Sequence, residues 1–435
     1  MDWSISLSIA IILMLLLFLA GVPVFVTFII INSLGVLWLL GSSGFGLFAN
    51  SIYQTVTNGS LAAVPLFVLM GEILFRSGTI ETLIDSVDKL VGKFRGRDYV
   101  LVISLSTIFG ALCGSTTAVA ALLGKTMTRT MNDRGYDTKL TTGIMIGGAS
   151  LAAIIPPSAL VVILGSLVDV SIASLLIAGI LPGIVLAILM VGYLYIRILL
   201  NPRLEPDLSS HARVKFSLSE KLLAVIRIMP FSLVIFSVVG LIMLGIATPS
   251  ESAATGVVGA IIAAAIYKKI SLRMLVESFL STVCISAMIL IIMVSAQLFG
   301  QLLSFVGASS GMMKSLSQLN FSNGWMFLIL MAVPFVACMF IDIFAVMFVS
   351  IPVYMPLIAH YKFDPIWFWM LFIINLTLGS MTPPFGYTLF ALKGATDTDL
   401  NDIFISAWPM VFIYVLGMIF MYYTPTIITI LPRLF

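Results

Sequence analysis

Gly110-Ala111-Leu112-Cys113-Gly114-Ser115-Thr116-Thr117, followed by Ile155-Pro156-Pro157-Ser158, stands in the first half of the chain. The second half has a counterpart: Asp342, then Thr382-Pro383-Pro384-Phe385-Gly386. In each half a Pro-Pro pair interrupts an apolar segment, 140–168 in one and 365–392 in the other. Proline has no backbone donor and disfavours helix in the residue before it. Each pair therefore breaks a helix inside a stretch long enough to cross a bilayer.

The surroundings of these breaks are membrane sequence. Of 435 residues, 60% are hydrophobic and 9% charged, where a soluble domain carries about 25% charged residues. Residues 3–71 contain no Asp, Glu, Lys or Arg. That run holds more than one crossing and is too long for a cleaved signal peptide. Cys113, Cys284 and Cys338 sit in apolar segments without metal spacing and suggest no disulfide framework. Two histidines, His211 and His360, argue against an imidazole-rich metal centre.

Outward from the breaks, spans are expected at about 4–20, 24–40 and 60–76, with an uncharged loop from Gly41 to Ser60. Thr79–Asp98 carries Ile80, Leu83, Ile84, Val87 and Leu90 at helical spacing and reads as a surface helix along the interface. Residues 99–131 read as a re-entrant hairpin, because two short apolar arms flank a small, polar tip. The broken helix 140–168 and a span at 171–196 follow. The second half offers spans at 228–247, 250–267 and 276–300, a weakly charged stretch 301–324, a hairpin at 325–361, the broken helix 365–392 and a span at 409–431.

Adding 227 to a first-half number gives its second-half partner: Pro156 becomes Pro383, Pro157 Pro384, and Pro182 Pro409. Residues 1–200 and 228–435 thus read as two repeats joined by a polar connector, 201–227, on the cytoplasmic side. A re-entrant hairpin returns to its own side, so each repeat crosses the membrane an odd number of times. The two repeats are then inverted. With both termini outside, all basic residues except Lys314, Lys362 and Arg433 fall on the cytoplasmic side, 19 of 22, the positive-inside bias. The expected fold is an all-α polytopic membrane protein of two inverted repeats, each with a re-entrant helical hairpin and a broken transmembrane helix.

Inverted repeats with broken helices are transporter architecture. Unwound backbone frees carbonyls for a cation such as Na⁺, and half-helix N-termini offer N–H groups to an anion. The hydroxyls of Ser115–Thr117, beside Gly110 and Gly114, suit such a tip, although small residues also pack helices closely. Asp342 is an intramembrane acid that either binds a cation or caps a half-helix. Glu72 lies one turn from Arg76 and reads as a structural pair. Glu251, in Thr248-Pro249-Ser250-Glu251-Ser252, reads as a helix cap. No Arg or Lys is placed at mid-membrane.

The chain resembles the large membrane subunit of TRAP (tripartite ATP-independent periplasmic) transporters, DctM-like, over nearly its full length. The resemblance is carried by Val64-Pro65-Leu66-Phe67-Val68-Leu69-Met70-Gly71-Glu72, Gly114-Ser115-Thr116-Thr117-Ala118, Arg134-Gly135-Tyr136, Ile155-Pro156-Pro157-Ser158, Ser171-Ile172 through Ala178-Gly179 to Pro182-Gly183, Pro249-Ser250-Glu251-Ser252-Ala253-Ala254, and Thr382-Pro383-Pro384-Phe385-Gly386 with Leu389-Phe390. The order and spacing of these pieces are specific. One departure is Cys113, where the family has a serine-like hydroxyl.

The resemblance implies a Na⁺-coupled importer of organic acids, such as C4-dicarboxylates or sialic acids, in the bacterial inner membrane. It implies an elevator motion of the hairpins and broken helices against a scaffold, as in the ion-transporter superfamily. It implies a small four-helix membrane subunit, expected on a separate polypeptide, and a periplasmic substrate-binding protein. Carried over by motif, cation ligands are expected at Gly110, Gly114, Ser115, Thr116, Pro156 and Pro157, and at Gly379, Thr382 and Gly386 near Asp342. The substrate is expected between the tips, at Ser115, Thr116, Thr117, Ser158, Pro383 and Pro384. The alternatives are a stand-alone Na⁺/dicarboxylate symporter of related fold and, more remotely, an intramembrane enzyme, for which the lone Asp342 offers no catalytic pair.

Overall fold

The computed structural model describes residues 3–91, 96–168, 170–205, 216–308, 311, 314–315 and 321–435. Lys93, Arg95, His211, Arg213 and Lys215, with much of the 201–227 connector and part of the 301–324 stretch, lie outside the described residues. The chain forms helices α1 (Trp3–Leu19), α2 (Val24–Leu39), α3 (Gly46–Val56), α4 (Ala63–Arg76), α5 (Ile80–Leu90), α6 (Arg97–Cys113) and α7 (Thr116–Asp133). Next come α8 (Thr138–Ser150), α9 (Ala159–Leu167), α10 (Ile172–Ala178), α11 (Ile180–Leu200), α12 (Leu218–Ile235), α13 (Leu241–Met243), α14 (Pro249–Ile266) and α15 (Leu272–Phe305). The remainder are α16 (Asn323–Cys338), α17 (Ile343–His360), α18 (Pro365–Ser380), α19 (Tyr387–Ala395), α20 (Leu400–Tyr423) and α21 (Thr426–Leu434). Among the described residues, seven helical segments are long and apolar enough to cross a membrane, which makes this a multi-pass membrane protein.

Both hairpins and both broken helices form. Helices α6 and α7 turn at Gly114-Ser115, and α16 and α17 turn at Met339–Asp342. The 227-residue shift carries Thr116–Asp133 onto Ile343–His360, the bounds of α7 and α17. It carries the Pro156-Pro157 peptide onto Pro383-Pro384, and both are cis. The half-helices at each break are short. At 1.5 Å per residue, α8 is about 20 Å long and α9 about 14 Å, against a hydrocarbon core of about 30 Å.

The helix starts follow from local chemistry. Asp137 caps α8 by accepting from Leu140 N at 2.7 Å. Ser217 and Glu220 form a reciprocal capping box on α12, and Thr248 and Glu251 form another on α14. Glu251 is thus a cap, as its sequence context indicates.

The helices sort into two bodies. In one, α4 packs on α14 and α15, α2 on α15, and α12 on α14 and α5. In the other, α7 packs on α19, α8 on α20, and α16 on α18. The second body contains the hairpins and breaks from both halves of the chain. The two bodies meet where α4 touches α6 and α9, and where α15 touches α17.

Five expected boundaries shift, one of them the span at 228–247, whose helix α12 begins at Leu218 inside the stretch read as a connector. Gly41–Ser60 is not a plain loop, because α3 forms within it. The span at 276–300 grows to the 34-residue α15. Its first-half counterpart is interrupted at Asn58, whose side chain accepts from Ser60 N at 3.1 Å and starts a new turn instead. The span at 171–196 divides into α10 and α11 at Gly179, where the carbonyl of Ile154 approaches too closely for a side chain. The final span starts nine residues early, at Leu400, and ends at Tyr423, with α21 as a separate amphipathic helix. Helix α5 is less of a surface helix than its pattern suggests, because its apolar face packs against α12 and α6.

Candidate functional site

Four helices begin close together. At the first hairpin tip, Gly114 adopts φ +61°, a left-handed conformation that glycine enters without steric cost. Its N–H donates to Gly110 O at 2.8 Å and closes α6. Ser115 then caps α7, with its hydroxyl near Ala118 N (3.4 Å) and Thr117 Oγ1 (3.2 Å). At the second tip, Asp342 caps α17 by accepting from Phe344 N at 2.9 Å. At the breaks, Ser158 precedes α9 and Gly386 precedes α19.

The first residues of all four helices face one cavity of about 480 Å³. Its lining includes Ser115–Ala118 from α7, Ala159 and Leu160 from α9, Asp342–Phe344 at the start of α17, and Tyr387 from α19. Cys113 and Gly114 close the first tip, and Ala153 and Ser380 lead into the two breaks. The other body contributes Val68, Gly71, Glu72 and Phe75 from α4, and Ile285, Met288 and Ile289 from α15. The lining carries two carboxylates, Glu72 and Asp342, and no basic side chain. Glu72 Oε2 lies 2.6 Å from Arg76 Nε, the pair expected from their spacing.

Contacts around the breaks hold this geometry. A methyl placed on Gly114 would lie 2.9 Å from the carbonyl oxygen of Pro157, so the first tip sits directly on the first break. A methyl on Gly379 would lie 2.7 Å from Phe335 O, so the second hairpin presses equally closely on the second broken helix. The breaks touch each other where Ser150 Oγ lies 3.3 Å from Met381 Sδ. Tyr414 of α20 donates to Gly147 O at 2.7 Å and ties the last span to α8.

The residues expected as cation ligands divide into two groups. Gly114, Ser115, Thr116 and Asp342 line the cavity. Gly110, Pro156, Pro157, Gly379, Thr382 and Gly386 stand behind its surface. Gly110 packs on Ala152, Thr382 donates to Leu378 O at 2.6 Å, and Gly386 packs under the Ser380 carbonyl. Of the residues expected at substrate, Ser115, Thr116 and Thr117 line the cavity, whereas Ser158, Pro383 and Pro384 do not. Ser158 is buried and its hydroxyl donates to Ala153 O at 2.7 Å, within the break. Sequence reasoning missed Ser380 and Tyr387 and treated Glu72 only as half of an ion pair. The available signal for Ser380 and Tyr387 was their place immediately either side of the second break.

The base of the first hairpin is pinned by charge. Asp98 is buried and accepts from Arg97 Nη1 at 3.0 Å and Arg134 Nη1 at 2.6 Å. Burial opposes the charge on Arg134, but Asp98 outweighs it and raises its pKa. Burial also pushes the neighbouring Tyr136 phenol well up. The Glu205 carboxylate accepts from Gly96 N at 2.8 Å, and Tyr99 donates to Leu204 O at 2.7 Å.

Paired hairpins and broken helices that enclose a cavity with two carboxylates within an apolar multi-span body define a membrane permease. Residues 11–427 match the family described as "Tripartite ATP-independent periplasmic transporter, DctM component". The chain belongs to that family. It is 27% identical over 389 residues to the C4-dicarboxylate TRAP transporter large permease protein DctM of Pseudomonas aeruginosa, covering 88% of this chain and 89% of the relative. It is also 27% identical to the ectoine/5-hydroxyectoine TRAP transporter large permease protein UehC of Ruegeria pomeroyi, with 87% of each covered. Its fold is shared with the Alcanivorax borkumensis YdaH transporter, at a TM-score of 0.64 and 12% identity over 91% of this chain and 89% of that one.

Proposed function

We propose that this chain is the substrate-translocating subunit of a Na⁺-coupled, binding-protein-dependent importer of organic acids. The observation that carries the reading is the meeting of four helix starts on a cavity with two carboxylates and no base. The N-terminus of a helix favours negative charge. Asp342 already answers that of α17, which leaves the starts of α7, α9 and α19 for the carboxylate of a solute. Arg76 already offsets Glu72, but an acid entering beside Asp342 adds to its negative charge, and no basic side chain in the lining offsets that. Co-bound cations supply the balance, and the free carbonyls and hydroxyls at the tips are ligands of the kind Na⁺ takes. Proposed ligands are Gly114, Ser115, Thr116 and Asp342 at the surface, with carbonyl support from the Pro156-Pro157 and Thr382–Gly386 breaks.

The division into two bodies supports an elevator. The hairpin body carries nearly all of the polar lining, while α4 and α15 present mostly apolar surface against which it can slide. In this reading the repeats are inverted, the termini are periplasmic, and the chain lies in the inner membrane. A small membrane subunit and a periplasmic binding protein complete the system.

The test is uptake into proteoliposomes holding this chain with the small subunit and the binding protein. An inward Na⁺ gradient is expected to drive accumulation of an organic acid such as a C4-dicarboxylate. Full uptake on a proton gradient without Na⁺ would overturn the coupling. Equal uptake without the binding protein would favour the stand-alone symporter.

A further inference from the structure

A second cavity, of about 670 Å³, lies at the other end of the same slot between the two bodies. The two cavities share three elements, α9, α15 and α17, at successive positions. On α15 the first takes Ile285–Ile289 and the second Met293–Ser304. On α17 the first takes Ile343 and Phe344 and the second Phe348–Pro356; on α9 the first takes Ala159 and Leu160 and the second Ser166 and Leu167. On α15 and α17 the gap is four residues, about 6 Å of helix. Buried apolar side chains stand in these gaps, among them Ile292 and Met347.

The second cavity differs in chemistry. Among its lining residues there is no charged side chain, but there are four carboxamides, Gln54, Asn58, Gln297 and Gln301. They are ordered by a ladder between α3 and α15. Gln297 Nε2 donates to Gln54 Oε1 at 2.8 Å, Thr55 donates to Gln297 Oε1 at 2.7 Å, and Ser51 donates to Gln301 Oε1 at 3.2 Å. The oxygens of Gln54, Gln297 and Gln301 are therefore taken, and that of Asn58 accepts from Ser60 N. The amide nitrogens of Gln54, Asn58 and Gln301 donate to no acceptor among the described residues. A carboxamide offers two donors per nitrogen. The ladder thus turns acceptors inward to the protein and leaves donors for the cavity.

We propose that this cavity is a second anion station, which takes the carboxylate of the solute through uncharged amide donors before or after it occupies the hairpin site. The proposal rests on the slot being the solute path. Neutral donors hydrogen-bond an anion without the Coulombic hold of a fixed cation, which suits a place where the solute pauses. The apolar wall of Phe348, Ile351, Pro352 and Met355 covers the carbon face of a small acid opposite the amides.

The test reads anion preference directly and does not require transport. In the full chain in nanodiscs, with Cys113→Ser and Cys284→Ser to silence the accessible thiols, Ser304→Cys places a reporter on the cavity wall. The probes are the sulfonatoethyl (anionic) and trimethylammonioethyl (cationic) methanethiosulfonates. The anionic-to-cationic rate ratio is expected to fall about tenfold when Gln54→Leu and Gln301→Leu are combined, the worth of hydrogen bonds to a charged group. Gln301→Met alone, which keeps the volume and most of the ladder, is expected to give a smaller fall in the same direction. An unchanged ratio in both variants, or an unreactive reporter, overturns the station. A ratio that falls as expected in a protein whose unsubstituted form shows no Na⁺-driven uptake would instead count against the transport reading.

Discussion

Gly71 on α4 lies against the backbone of Cys113 at the first hairpin tip, so closely that a methyl on Gly71 would sit 3.3 Å from both Cys113 Cα and Leu112 O. This is the point where the two bodies approach each other beside the cavity. It also gives the cysteine a place: Cys113 sits at the tip between α4 and the cavity it helps to line.

Gly71→Val is expected to push the tip away from α4 and cut uptake roughly tenfold or more, since small misplacements at a working site are costly. Gly71→Ala is expected to be milder, because 3.3 Å asks the neighbour to yield only slightly. Size-exclusion profiles alongside initial uptake rates check this. Wild-type uptake by a well-folded Gly71→Val protein would remove the contact from the mechanism.

Gly114→Ala meets two penalties at once. A side chain in the left-handed region costs about 1–2 kcal/mol, and the new methyl would lie 2.9 Å from Pro157 O. The melting temperature of purified protein is expected to fall, and with it the Na⁺ dependence of the residual uptake. Unchanged melting and Na⁺ titration would mean that the tip relaxes freely and does not depend on glycine.

Two roles of Asp342 separate by substitution. Asn keeps an oxygen that can accept from Phe344 N and removes the charge; Ala removes the cap as well, at about 1 kcal/mol. Asp342→Asn is expected to leave thermal stability near wild type while raising the Na⁺ concentration needed for half-maximal uptake. Asp342→Ala is expected to lose both. A wild-type Na⁺ titration in Asp342→Asn would leave this residue as a cap alone.

Arg134→Ala removes one of two cations on a buried carboxylate. The expected loss is about 2 kcal/mol of stability at the base of the hairpin, because Asp98 stays buried with one partner fewer. Hydrogen exchange of the α6–α7 amides should show the loosening. Restored protection in the double variant Asp98→Asn, Arg134→Ala would confirm the buried charge as its cause.

The hairpins, the breaks and their repetition were legible because their causes are local. Proline lacks a donor in any context, and a charge-free run of given length has few ways to fold in a bilayer. The boundaries that shifted were set by neighbours. The Gly41–Ser60 loop gained a helix because α3 packs along α15, and α15 outgrew its expected ends for the same reason.

The sequence by itself determined the class of membrane protein, the two hairpins, the two broken helices and the residues at their tips. Only the tertiary structure decided which of those residues share a surface. Ser115 and Asp342 face one cavity, whereas Thr382, Ser158 and the four prolines lie outside its lining. It also brought Glu72 of α4 to that cavity together with Ser380 and Tyr387, which flank a break far along the chain from it. The physical reason is that a backbone break depends on one or two residues, while a cavity wall depends on packing between segments more than 200 positions apart, as where Ser150 meets Met381.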